Sequence, residues 1–253
     1  MHLKIAGIVL KQKKSIGEQK YLTLLTSQKG IIDAKLRIFG KMNKNISRNI
    51  NVLGYYYFDI FDGNHGYIVD SAEIIESFFN LRYCPKKLAL AQYFCELTYL
   101  FVPSKQRALR HLNLLLNSLW LLEKNIYSHD FIKCVFELRL LSLSGYMPNL
   151  VGCKICCNYE KETMFYVPFR GELICSDCLE NINQKYDIFK LTKPVLYAMR
   201  YIIYKDDKDI FKFKIKPDQL EYLSSLTEKT VLIFTEKELS TLKIYHQFNE
   251  EFR

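Results

Sequence analysis

From residue 3 to about residue 70, short runs of apolar residues alternate with polar ones and are cut by turn signals. Residues 3–12 (LKIAGIVLKQ), 19–26 (QKYLTLLT), 31–39 (IIDAKLRIF), 51–61 (NVLGYYYFDIF) and 66–70 (GYIVD) read as five strands. Between them lie the basic turn at 13–17, Ser27-Gln28-Lys29-Gly30, the polar stretch 40–49, and Asp62-Gly63-Asn64-His65. Five short antiparallel strands in so few residues fit a small closed barrel better than an open sheet with unprotected edges. The expected form is the OB-fold, whose basic groove and stacking aromatics suit a single nucleic-acid strand. Tyr21, Phe39 and Tyr55-Tyr56-Tyr57-Phe58 offer rings, though alternation sends about half of that run into the core.

The period changes after residue 70. Ser71 followed by Ala72-Glu73-Ile74-Ile75-Glu76 reads as a helix start. Helical spacing then recurs over 86–101, 106–124, 130–144, 193–204, 217–226 and 236–249, with Asp130 as N-cap and Gly145 as stop for the third. Leu88, Ala91, Phe94 and Cys95 begin one stripe, and Leu109, Leu112, Leu116, Leu119 and Trp120 form another, as in a helical bundle. Residues 210–216 (IFKFKIK) alternate sharply, as a short strand or extended arm would. That places Lys212, Lys214 and Lys216 on one side, a second and weaker candidate for phosphate contact. The class is therefore α+β. The expected domains are an OB-fold barrel over 1–80, a helical domain over 81–150, a zinc finger over 151–180, and a helical part over 181–253 packed with the helical domain.

Residues 150–180 carry the sharpest chemistry. Cys153 and Cys156 form one C-x-x-C, Cys175 and Cys178 another, with 18 residues between the pairs. Two such knuckles can aim four thiolates at one tetrahedral ion, the closed arrangement of a structural Zn²⁺ site. A catalytic zinc keeps a position open for water, which four thiolates do not leave. Disulfides, a redox pair and ordinary core cysteines are the competing readings, and only the last suits Cys84, Cys95 and Cys134. Cys157 follows Cys156 directly and is an alternative ligand at the first knuckle.

Composition is that of a folded protein, with 49% hydrophobic and 25% charged residues and only 10 Gly and 6 Pro. The apolar stretch Ile5–Leu10 is too short for a signal-peptide core, and no run approaches the roughly 18 residues of a membrane span. A cytoplasmic protein with no membrane contact is expected. The net charge of +9 lies entirely in residues 1–50, which hold eleven Lys/Arg against Glu18 and Asp33. Such asymmetry points to a polyanionic partner for that segment. Phosphate-loop, HExxH and GxSxG motifs are absent, and the five histidines have no evident carboxylate or nucleophile companion. The expectation is a protein that is not an enzyme.

Several stretches resemble the bacterial recombination mediator family RecO. Glu18 with Leu22-Thr23-Leu24-Leu25-Thr26 and Lys29-Gly30 looks like that family's first hairpin. Phe136-Glu137-Leu138-Arg139-Leu140-Leu141 and Gly145-Tyr146-Met147-Pro148-Asn149-Leu150 look like its helix leading into the zinc segment. Phe169-Arg170-Gly171-Glu172-Leu173-Ile174-Cys175 looks like its return to the second knuckle. A glycine usual after the first knuckle is Cys157 here, and a Gly-Gly pair is Arg170-Gly171. The resemblance implies a DNA-repair mediator that binds single- and double-stranded DNA and anneals complementary strands. It also implies association with RecR and with the acidic tail of single-stranded DNA-binding protein, so that RecA is loaded onto coated strands. Lys11, Lys13, Lys14, Lys35, Arg37, Lys41, Lys44 and Arg48 are the phosphate contacts it suggests. The alternative is a zinc-stabilised protein–protein adaptor without annealing activity.

Overall fold

A computed structural model describes residues 2–14, 20–36, 50–63, 66–181, 186–235 and 237–250. Two compact units emerge, residues 1–126 with 239–253 and residues 127–238.

The first unit begins with strands β1 (His2–Lys14), β2 (Lys20–Thr26), β3 (Gly30–Leu36), β4 (Tyr55–Gly63) and β5 (Gly66–Glu76). They close a barrel in the order β1-β2-β3-β5-β4, with β4 returning to β1. All pairings are antiparallel except β3 with β5. Side chains alternate as the pattern requires. Tyr56, Phe58 and Ile60 of β4 join Leu22, Leu24, Ile32, Ala34, Leu36 and Val69 inside, while Tyr57 faces out. Gly30 turns the β2–β3 hairpin with φ of 61°, and a Cβ there would stand 2.2 Å from the Pro103 carbonyl oxygen. That close approach lets Ile31 N–H donate to Pro103 at 3.4 Å and Ala108 N–H donate to Ser27 at 3.0 Å.

The expected helix start at Ser71 is not there; β5 runs on through Glu76. β4 supplies partners along this whole length, Asp59 facing Ser71, Tyr57 facing Glu73 and Tyr56 facing Ile74. Continuous pairing with β4, with Ile74 and Ile75 suited to a strand, outweighs the isolated cap-and-acid signal. A short 3₁₀ turn at Phe79–Tyr83 leads to helices α1 (Pro85–Phe101) and α2 (Leu109–Lys124). The buried line of α2 runs through Leu112, Leu115, Leu119 and Leu122. Leu109 and Trp120, expected in that stripe, are exposed.

The second unit holds helices α3 (His129–Leu143), α4 (Lys193–Tyr204) and α5 (Pro217–Thr235) and a small sheet of β6 (Asn149–Cys153), β7 (Met164–Val167), β8 (Glu172–Cys175) and β9 (Phe189–Leu191). Sheet order is β6-β8-β7-β9. The N-cap of α3 is Ser128, whose hydroxyl accepts from Phe131 N–H at 3.3 Å; Asp130 sits inside the first turn instead. Gly145 follows the helix at φ of 95°, as its stop signal predicted. Residues 210–216 form no strand among the described residues, yet Phe211 and Phe213 are buried and Lys212, Lys214 and Lys216 exposed. A final helix, α6 (Ser240–Glu250), belongs to the first unit and packs on α1.

Candidate metal centre and basic face

β6 ends at Cys153 and β8 at Cys175, so the parallel pairing of these strands brings the first thiol of each knuckle to one end of the sheet. Each strand then breaks into a tight turn. In the first, Cys153 N–H donates to Asn158 at 2.8 Å and Cys157 N–H donates back to Cys153 at 2.9 Å. Gly152 makes room for that loop, since a Cβ there would lie 2.8 Å from the Asn158 oxygen. In the second, a 3₁₀ turn at Ser176–Asn181 carries Cys178 back beside Cys175.

The four Sγ atoms of Cys153, Cys156, Cys175 and Cys178 all lie within 4.8 Å of one another. The Cys156 and Cys175 sulfurs are 3.6 Å apart. A tetrahedron with metal–sulfur bonds of about 2.3 Å has edges of about 3.8 Å, so the pocket already has the dimensions of an ion with four thiolates. Cys157 is exposed and stands outside the group. Polar hydrogens support the sulfurs. Cys175 N–H points at Cys153 Sγ at 3.4 Å, and the Asn158 amide donates to Cys156 Sγ at 3.2 Å.

Cys153, Cys175 and Cys178 do not ionise alike. Burial pushes Cys153 up, but N–H groups of Cys156, Cys175 and Ile155 and the Cys156 thiol favour its thiolate and bring it down to about 6. Burial pushes Cys178 up to about 12, helped by its three neighbouring thiols, and moves Cys175 upward too. Four crowded sulfurs cannot all carry charge by themselves, whereas a dication at their centre would balance that charge. The residues present thus fit a thiophilic divalent metal.

Cys95 and Cys134 are buried in apolar surroundings, which pushes their thiols up. Cys84 is half-buried.

The basic face lies on the barrel. Cross-strand partners share a face, and the register sets Lys13 opposite Tyr21 and Tyr21 opposite Lys35. The inward positions belong to Leu22, Leu24, Ala34 and Leu36, so this cation–ring–cation row faces out. Tyr21 is 38% exposed between the two lysines. Lys11 is placed differently: its ammonium lies 3.8 Å from the Tyr99 ring centroid on α1. Lys14 ends β1 opposite Lys20. Arg37, Lys41, Lys44 and Arg48, with Phe39, lie outside the described residues. Of the tyrosine run, Tyr56 is in the core and Tyr57 is 58% exposed.

Three features escaped sequence reasoning. His2 was expected to lack a carboxylate companion, yet its Nδ1 lies 3.7 Å from Asp59 and 3.8 Å from Asp70 across the closed barrel. Asp62, expected in the turn after the fourth strand, belongs to β4. Arg200, the only cation within the apolar stretch 194–204, reaches the backbone of the first knuckle, and that isolation in an apolar helix was its sole signal. No helix among the described residues is long and apolar enough to cross a membrane.

The family described as recombination protein O C terminal matches residues 82–239. Over about 95% of both chains, the sequence is 29% identical to the DNA repair protein RecO of Acetivibrio thermocellus. It is 28% identical to that of Alkaliphilus metalliredigens, over 94% of this chain and 95% of the relative. For the RecO of Symbiobacterium thermophilum the figure is 24%, over 94% of each chain.

Proposed function

The chain belongs to the recombination protein O family, a family of DNA repair and recombination proteins, and from that premise we propose that it binds DNA through its barrel and anneals complementary strands. With RecR, and through the acidic tail of single-stranded DNA-binding protein, it helps load RecA onto coated strands. The observation that carries the DNA reading is the outward row Lys13–Tyr21–Lys35, two cations flanking an exposed ring on a closed five-stranded barrel. Cations on such a surface meet phosphates and the ring accepts a stacked base, without reading sequence. Lys14 and the cations of 37–48 extend the same charge in the sequence, and Lys11 contributes long-range field from its seat over Tyr99. Annealing needs no covalent chemistry. A cationic surface that lowers repulsion between two phosphate backbones lets them pair.

Cys153, Cys156, Cys175 and Cys178 hold Zn²⁺ in a structural role in this reading. When bound, the metal fastens the two knuckle turns to each other.

The test is annealing of complementary oligonucleotides, bare and coated with single-stranded DNA-binding protein, with zinc measured in the same preparation. Accelerated annealing in both arms is expected. Tight binding to an acidic protein partner with no annealing at all would overturn the proposal in favour of an adaptor.

A further inference from the structure

The first knuckle hangs from a weakly paired strand. β6 is an edge of its sheet and meets β8 only at Asn149 with Glu172 and at Cys153 with Leu173, with a register shift between. Residues 150–152 therefore need partners from elsewhere, because peptide groups left unpaired on folding cost free energy. The Asn149 side chain takes the Val151 N–H at 3.2 Å, and helix α4 supplies partners for Leu150 and for the Val151 carbonyl. Arg200 donates through Nε to the Leu150 carbonyl at 2.7 Å and through one terminal nitrogen to Val151 at 3.2 Å and Tyr159 at 2.7 Å. Its guanidinium lies 4.0 Å from the Tyr159 ring centroid, and its other nitrogen is 3.7 Å from Glu160. One turn further on, the Tyr204 hydroxyl accepts from Leu150 N–H at 3.0 Å.

One planar fork thus binds the chain just before Cys153 and just after the Cys156 turn. A fork can span three carbonyls and stack on a ring at once; an ammonium is a point donor that cannot. Among the described residues nothing comparable joins α4 to the second knuckle, which carries the surface pair Lys161–Asp177 at 3.2 Å.

We infer that Arg200 is a positioning residue for the metal centre: by clamping both limbs of the first knuckle it fixes where Cys153 and Cys156 stand, and so governs how long the metal is retained. This rests on the reading of the four cysteines as metal ligands. Groups that orient ligands without touching the metal commonly change affinity by roughly 10–100-fold.

The experiment uses the full chain loaded with zinc and follows transfer to a chromogenic chelator at a temperature well below unfolding. Wild type, Arg200→Lys, Arg200→Ala and Arg139→Lys are compared, each with its thermal midpoint. Arg139 is the control, because it bonds the Ile202 and Lys205 carbonyls at the end of α4 and none in the knuckle. Release about tenfold faster in both Arg200 variants, and unchanged in Arg139→Lys at similar loss of stability, is expected. Wild-type release in Arg200→Lys overturns the inference, as does release that follows thermal midpoint alike in all variants. A wild-type chain that takes up neither zinc nor cobalt overturns the metal reading itself, and this inference with it.

Discussion

Cys157 sits at φ of 59°, a left-handed conformation that costs a side chain about 1–2 kcal/mol relative to glycine. Spacing alone leaves Cys156 and Cys157 equivalent as ligands, and the backbone separates them. Both residues are exposed, but the turn closed by Cys157 N–H on the Cys153 carbonyl brings the Cys156 sulfur to 3.6 Å from Cys175 and leaves Cys157 outside the cluster. Cys157→Gly is therefore expected to keep one metal per chain and to gain about 1 kcal/mol in unfolding free energy, read as a higher denaturant midpoint. Cys156→Ser is expected to lose the metal, measured as zinc per chain. Lys133 shows the opposite economy, a charge kept inside. Its ammonium lies 3.0 Å from Glu137 and 2.7 Å from Glu228, and Thr227 donates to Glu137 at 2.6 Å. Burial opposes the lysine's charge, yet the two carboxylates more than offset it and raise its pKa. A raised value means that its contribution to stability is complete below the unfolded lysine's pKa of about 10.4 and fades above it. Lys133→Met removes the buried counter-charge of Glu137 and is expected to cost about 3–5 kcal/mol at neutral pH in urea unfolding. Nothing in the sequence distinguishes Lys133 from a solvated helix lysine, because its partners come partly from α5, about 90 residues away.

At the scale of elements, legibility follows how local the deciding interaction is. α4 spans the stretch 193–204 that its pattern predicts because its start is written locally: the Thr192 hydroxyl accepts from Val195 N–H, and Pro194 stands in the first turn. β5 misleads for the converse reason, since its last six residues are held by β4 and carry helix-start chemistry that goes unused. α5 similarly outruns its expected end at 226 and continues to Thr235, with Thr227, Thr230 and Val231 buried. The cap of α3 makes a direct test of local against apparent signals. Ser128→Ala removes the hydroxyl that receives Phe131 N–H and is expected to cost about 1 kcal/mol in thermal or chemical unfolding. Asp130→Ala removes only a first-turn charge and is expected to cost about 0.3–1 kcal/mol, mostly screened at high salt. Equal, salt-independent losses would return the cap to Asp130.

On the scale of the whole molecule, the four-cysteine cluster and the closed barrel were both legible, the first from spacing and the second from strand count and period. The charge asymmetry was legible as a sum over residues 1–50, but its distribution was not. Register alone shows that Lys13 and Lys35 flank Tyr21, while Lys11 turns to Tyr99. Salt titration of single-strand binding converts this into numbers. For single strands the slope of log affinity against log salt is about −0.7 per phosphate neutralised. Reversing Lys13 and Lys35 together is expected to flatten it by about 1.4, and reversing Lys41, Lys44 and Arg48 by about 2. The same reversal at Lys212, Lys214 and Lys216 supplies the contrast, since Lys212 is already held by Asp209 at 2.7 Å and the three lie in the other unit. Replacing Tyr21 by Leu removes a stacking ring and no charge, so affinity should fall about 5–100-fold with the slope intact. A slope that moves only with the lysines of 212–216 would shift the nucleic-acid surface off the barrel altogether.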